Sequence, residues 1–235
     1  SPDTDIPTYV FIAYQMMFAI ITPALMTGAF TRRMKTLPYI VFIALWQVFV
    51  YYPFVHMVWG GGLLAQLGVL DFAGGIVVHA SAGFGSLACV QYLGKRATQD
   101  AVSHNIPFVV IGTAMLWFGW FGFNAGSALG VNQTASLAFL NSQIAASFAG
   151  FSWFILNWYL KQKPQLLSFC VGSIAGLATI TPCAGFISPQ ASMLIGCTAG
   201  FFCYLCVAVI KLKFDDALDV IGVHGLGGVL GTILL

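Results

Sequence analysis

Asp71–Val90 reads DFAGGIVVHASAGFGSLACV. The stretch is apolar, rich in Gly and Ala, long enough for a membrane-crossing helix, and carries one histidine, His79, in its interior. Roughly 20 apolar residues cross a hydrocarbon core about 30 Å thick. A buried imidazole there must find a partner or lose its charge, and both outcomes cost free energy. His79 therefore needs a justification from the rest of the chain.

Hydrophobic residues make up 59% of the 235 and charged residues 7%, with a mean hydropathy of +0.91. Soluble domains carry about 25% charged residues, so this chain cannot build a water-facing surface and belongs in a lipid bilayer. It contains no glutamate, and a net charge of +2 is too small to point to nucleic acid. The six cysteines (Cys89, Cys170, Cys183, Cys197, Cys203 and Cys206) lie in or at the ends of apolar runs and read as small packing residues. Cys203-x-x-Cys206 lacks the second pair or nearby His that a metal site requires. Neither a metal nor an organic cofactor is expected.

Apolar runs fall at about 8–30, 38–58, 73–94, 105–129, 136–160, 167–187, 191–212 and 217–235. They predict an all-α, polytopic membrane bundle of about eight helices, forming one domain over residues 1–235. The chain starts without Met and stops inside an apolar run at Leu235, so the domain is expected to be incomplete at both ends. Ser1–Pro7 is a polar lead without the basic region of a signal peptide.

All nine basic residues sit in alternate loops: Arg32, Arg33 and Lys35; Lys95 and Arg96; Lys161 and Lys163; Lys211 and Lys213. The positive-inside bias makes those loops cytoplasmic and places both ends of the chain outside. The sequon Asn132-Gln133-Thr134 is then external, in a loop too short for ready glycosylation.

His79 lies eight residues after Asp71, and His224 eight after Asp216, each roughly 12 Å along a helix and so near the middle of the bilayer. DFAGGIVVHASAGFGS and DALDVIGVHGLGGVLG share Asp, Ile, Val, His and one Gly, and they lie on segments five apart that run in opposite directions. That pattern predicts an inverted repeat whose substrate site lies where its halves meet. A lone membrane histidine can simply bond a nearby Ser or carbonyl. Two at matched depth in matched contexts favour a functional pair. Glycines flank both, and close helix packing alone would explain those.

The strings MVWGGG, DFAGGIVVH, WFGFNAGSA, ITPCAGFISP and DDALDVIGVHG resemble, in order across almost the whole chain, the Amt/Mep/Rh ammonium transporter family. The resemblance implies an eleven-helix fold with inverted repeats, of which these eight segments look like the third to tenth. It implies that His79 and His224 line a pore, that Phe18 and Phe123 are two stacked rings gating its outer end, and that Trp120 is a further pore-lining aromatic. Trp59, Phe123 and Ser127 would form an outer recruitment site, with Asp71 in support. The implied substrate is ammonium or ammonia, with methylammonium as an analogue. Also implied are a homotrimer with one pore per subunit, a cytoplasmic regulatory partner and residence in the plasma membrane.

Taken singly, Trp59 reads as a membrane-belt anchor, Phe18 and Phe123 as packing, and Asp71 as a helix cap. His104, in a loop, and His56, before the outer mouth, read as incidental. Thr31-Arg32-Arg33 replaces the family's Ala-Glu-Arg, which calls a cytoplasmic contact into question. Ile76 stands for a Thr, and Ala80-Ser81 for Ile-Asn; no pore residue is lost. Two further readings are an ammonium sensor signalling through a C-terminal tail and an Rh-type gas channel, although Trp59 argues against the latter. A membrane enzyme fits least, since four histidines and no glutamate leave no metal cluster.

Cations would be drawn to the outer aromatics by cation–π attraction of order 1–2 kcal/mol each. An apolar pore with two imidazoles would reject potassium by desolvation yet pass ammonia, since ammonium can give up a proton.

Overall fold

The computed structural model describes residues 6–97, 105–161 and 163–235, so His104 falls outside the described residues. The described residues are helical and irregular, with no strand among them. Eight helical runs follow one another: α1 (Thr8–Phe30), α2 (Thr36–Gln66), α3 (Gly75–Leu93), α4 (Ile106–Gly126), α5 (Gln133–Lys161), α6 (Leu166–Ile180), α7 (Pro189–Lys213) and α8 (Ile221–Ile233). All except α6 and α8 are long and apolar enough to cross a bilayer. These runs correspond to the eight expected spans, with altered ends.

The largest change is at the sixth span, expected to reach residue 187. Helix α6 stops at Ile180 because Pro182 follows within two residues and cannot continue the ladder; turns carry the chain on to Phe186. The eighth span begins at Ile221, not 217, because the Asp216 carboxylate receives the Ile221 N–H at 2.8 Å and sets the start of the helix. Helix α1 has a turn residue at Met26, and α2 is interrupted after Trp59. Three turns are π-helical: Gln47–Tyr51, Gly75–Ala80 and Ile221–Leu226. The last two carry the histidines, consistent with the concentration of such widened turns at functional sites. Polar caps begin other helices: Asn105 accepts from Phe108 N at 3.1 Å and Asn132, the sequon residue, from Ala135 N at 2.9 Å.

The interior is made of small residues. Ala145, Ala146, Ala149, Ala175, Ala178 and Ala199 are fully buried between α5, α6 and α7, while Phe118, Tyr159 and Leu212 point outward at 75% exposure or more. In hydrocarbon no hydrophobic force draws helices together, so close backbone packing does the work that large apolar cores do in water.

Helices α3 and α8 cross where neither has a side chain. A Cβ on Gly83 would lie 2.1 Å from the Gly225 Cα and 3.4 Å from the Val220 carbonyl oxygen. One on Gly228 would lie 2.5 Å from the Gly75 carbonyl oxygen and 3.2 Å from Ala80 N. Each residue of one set is the other shifted by 145 positions, the separation of the two histidines. The contact is thus reciprocal, which is what an inverted repeat packing against itself must produce.

At the end of the bundle opposite Trp59, the loops carrying Arg33 and Arg96 converge on Asp215. Arg96 donates through Nε to Oδ2 at 2.9 Å and through Nη2 to Oδ1 at 2.7 Å, and Arg33 Nη2 lies 2.9 Å from Oδ2. Arg33 also donates to the Asp215 carbonyl, so the altered Thr31-Arg32-Arg33 motif still makes a contact between loops. The Arg96 guanidinium, then that of Arg33, holds the Asp215 carboxyl well below its ordinary 3.8. A depressed folded value means that the stability from this carboxylate is present above about pH 4 and is lost as pH falls through the folded value. Asp215→Asn is expected to destabilise the purified full-length protein at pH 7 by about 2 kcal/mol, the scale of charged hydrogen bonds lost at a part-buried pair. It is also expected to flatten the loss of stability in acid. Thermal unfolding in mild detergent at neutral and acid pH measures both; an unchanged acid profile would remove Asp215 as its source.

Candidate functional site

The two histidines meet. His79, from the π-turn of α3, and His224, from that of α8, place their Nδ1 atoms 3.2 Å apart. Both are buried, at 1% and 7% exposure. A bond between two Nδ1 atoms requires one to carry the proton and the other to lack it. In a neutral pair the ring that donates through Nδ1 has a bare Nε2, and its partner has a protonated one. The pair thus presents one acceptor and one donor, and exchanging the two roles requires the shared proton to cross in one direction while an Nε2 proton is passed back in the other. The His79 Nε2 is buried with no hydrogen-bond partner. His79 also lines a cavity of about 100 Å³ together with Val78, Trp120 and Phe123.

Aromatic rings enclose the pair. Trp120 stacks on both imidazoles, with centroids 5.4 Å from His79 and 6.3 Å from His224, and Phe123 stacks on His79 at 5.9 Å. Trp120 is fixed from behind: its indole N–H donates to Thr181 Oγ1 at 3.0 Å, which approaches Asn124 Oδ1 at 3.2 Å, and Asn124 donates to Ser142 Oγ at 2.9 Å. This buried polar chain ties α4 to α6 and α5. Sequence reading missed Asn124 and Thr181; an Asn and a Thr-Pro inside apolar runs were the available signals.

Phe18 joins from α1. Its ring lies 4.6 Å from Phe123, 5.5 Å from Trp59 and 4.9 Å from Tyr14. The two phenylalanines expected to be stacked are instead tilted by 44°. Phe123 is already shared with His79 and Trp120, and three neighbours around one ring cannot all lie parallel to it.

Trp59 ends the regular part of α2, half-buried, and its indole N–H donates to the Asp71 backbone carbonyl at 2.8 Å. The Asp71 side chain faces the other way. Oδ1 accepts from Gly74 and Gly75 N–H, each at 2.7 Å, and Oδ2 from Ile76 at 2.8 Å and Val77 at 3.1 Å. Asp71 is therefore the cap of α3, and it supports Trp59 through its backbone. Gly74 makes the turn possible with φ at 114°, where a side chain would be strained. Burial pushes the Asp71 carboxyl above its ordinary value, while the four N–H groups pull it back.

Ser127 donates to the Phe123 carbonyl at 2.9 Å and lies 3.0 Å from Tyr14 Oη, which itself donates to that carbonyl at 2.7 Å. Tyr14 was not foreseen, although it stands one helical turn before Phe18 on the same face. With both hydroxyls drawn to one carbonyl, the Ser127 oxygen keeps a lone pair for a further donor. His56 is exposed on α2. All eight expected site residues thus fall in one connected group, running from Trp59 and Ser127 through Phe18 and Phe123 to Trp120 and the histidines.

Known proteins share this sequence and shape. The model of the Ammonium Transporter Family matches residues 1–235. An ammonium transporter of Aquifex aeolicus is 47% identical over 99% of this chain and 55% of its own length. Ammonium transporter Amt1 of Archaeoglobus fulgidus is 49% identical over 95% and 58%. The crystal structure of Saccharomyces cerevisiae Mep2 superposes with a TM-score of 0.92 at 39% identity, covering 97% of this chain and 54% of that one. The chain thus spans about half the length of the relatives it matches. With its eight apolar helices, reciprocal α3–α8 crossing and match from end to end, the chain belongs to the Ammonium Transporter Family and is an integral, multi-pass membrane protein.

Proposed function

We propose that the full-length protein is an ammonium transporter or channel, not an enzyme, and that its path runs through the connected group of residues described above. Ammonium is recruited between Trp59, Phe123 and Ser127, passes the Phe18–Phe123 gate, gives up a proton, and crosses as ammonia along His79 and His224. The observation that carries this reading is the buried Nδ1–Nδ1 contact at 3.2 Å beside an apolar cavity lined by Trp120, Phe123 and aliphatic side chains. An apolar passage would reject a permanent cation by desolvation. The imidazole pair, with one Nε2 as acceptor and the other as donor, can guide ammonia or relay its proton. The charge split of the loops supports an orientation with the Trp59 end outside and the Arg33–Arg96–Asp215 end on the cytoplasmic side of the cell membrane. Family membership supports a homotrimer with a pore in each subunit and a cytoplasmic regulatory partner; a monomeric mass in mild detergent would count against the trimer.

The direct test is ammonium and methylammonium uptake by the full-length protein in a transport-deficient cell, with current recorded alongside. Absence of uptake at normal surface expression would remove the reading. Within it, Trp59→Leu is expected to raise the half-saturating concentration about tenfold, the factor corresponding to one cation–π face of order 1–2 kcal/mol. Unchanged concentration dependence and selectivity would dismiss the recruitment role. Phe18→Ala is expected to change the maximum rate instead; a variant that only misfolds would return Phe18 to packing.

A further inference from the structure

Pro23 lies inside α1, five residues after Phe18. Proline has no backbone N–H, so the carbonyl four residues earlier, that of Ala19, loses its helical donor. No water is at hand in hydrocarbon to replace it, and such a group must be satisfied by protein. Helix α2 supplies the donor: Gln47 Nε2 donates to the Ala19 carbonyl. Gln47 opens the π-turn Gln47–Tyr51, and its own Oε1 is buried with no hydrogen-bond partner. The adjacent Phe18 carbonyl receives the Thr22 hydroxyl at 2.6 Å. Both carbonyls in the turn before Pro23 are therefore held by side chains, one from within α1 and one from α2. Helix α2 is also the element that presents Trp59 to the Phe18 ring.

We infer that Gln47 is a positioning residue for the Phe18 gate: its amide replaces the donor that Pro23 removes and pins the proline turn of α1 to α2, which sets Phe18 against Phe123 and Trp59. The inference rests on the gate reading above. The test is a double-mutant cycle in the full-length protein, comparing the parent, Gln47→Leu, Pro23→Ala and the double variant. The readouts are methylammonium uptake against external concentration at matched surface expression and thermal unfolding in mild detergent. Gln47→Leu is expected to lower the maximum rate about fivefold, the factor corresponding to one hydrogen bond. Its half-saturating concentration should stay within about twofold, because the Trp59 site is untouched. Pro23→Ala restores the backbone donor, so adding Gln47→Leu to it should change the maximum rate by less than about twofold. If Gln47→Leu fails to reach the surface, Pro23→Ala should restore its level. A maximum rate unchanged in Gln47→Leu, an equal loss in both backgrounds, or no rescue by Pro23→Ala would overturn the inference. Coupling seen in unfolding temperature but not in uptake would leave the gate standing and overturn the positioning role. A parental maximum rate in Phe18→Ala would instead remove the gate itself.

Discussion

His79→Ala and His224→Ala are each expected to cut ammonium uptake by roughly 100-fold, the lower end of what a positioned proton-transfer group contributes. Membrane insertion should survive, because alanine enters a bilayer more readily than histidine. The two variants are not expected to be equivalent. The His79 ring stacks on both Trp120 and Phe123 and lines the cavity of about 100 Å³, so its removal widens the path directly. His224 contacts Trp120 but not Phe123 among the described ring pairs, so its loss mainly deprives His79 of a partner. A wider, wetter path lowers the desolvation barrier, and His79→Ala should therefore admit more potassium than His224→Ala. Both Nδ1 atoms cannot donate at once, and two cationic rings 3.2 Å apart at their nitrogens would repel strongly at low dielectric. The rings act as one unit, and the double variant should lose little more uptake than either single. Uptake and potassium current at matched surface expression decide this. Parental transport and discrimination in both singles would make the pair structural.

The second large effect concerns stability. Asp71→Ala would strip the acceptors from four backbone N–H groups at the start of α3, those of Gly74, Gly75, Ile76 and Val77. A buried donor left unpaired costs about 1–3 kcal/mol, so a loss of at least about 4 kcal/mol is expected after partial relaxation. That corresponds to a fall in unfolding temperature of roughly 8–16 °C for 235 residues and about half that for a chain twice as long. Asparagine is a poor substitute: one oxygen remains as acceptor, and its amide hydrogens face two N–H groups. Asp216 makes the comparison sharp. It is the repeat equivalent of Asp71, yet its Oδ1 has no hydrogen-bond partner and Oδ2 receives Ile221 N. Asp216→Ala should accordingly cost less, about 1–2 kcal/mol, as for an ordinary cap. Thermal unfolding of the full-length protein in detergent measures both. An Asp71→Ala protein melting within a few degrees of the parent, or below-parent losses reversed in order, would contradict the capping role.

Sequence alone determined the membrane environment, the eight apolar runs and the inverted repeat. Those features are written as composition, as run length and as the same Asp-to-His spacing on two antiparallel segments. It also singled out the eight candidate residues that the structure brings into one connected group, because the strings that carry them are distinctive. What it could not show is how helices face one another. When every side of a helix is apolar, hydrophobic periodicity disappears, and neither the inward face nor a break within a run is marked. Whereas the early end of α6 was marked by Pro182 and went unused, Met26 and the π-turn at Gln47–Tyr51 were invisible for that reason. The same holds for bonds between distant positions: Tyr14 with Phe123 lies 109 residues apart, and Gln47 with Ala19 lies 28. Asp71 read from sequence as a helix cap and, by resemblance, as support for the outer site; only the packed structure showed four N–H groups on its carboxylate and Trp59 on its carbonyl. In hydrocarbon each polar group must find its partner within the protein, and only the packed helices decide which partner is within reach.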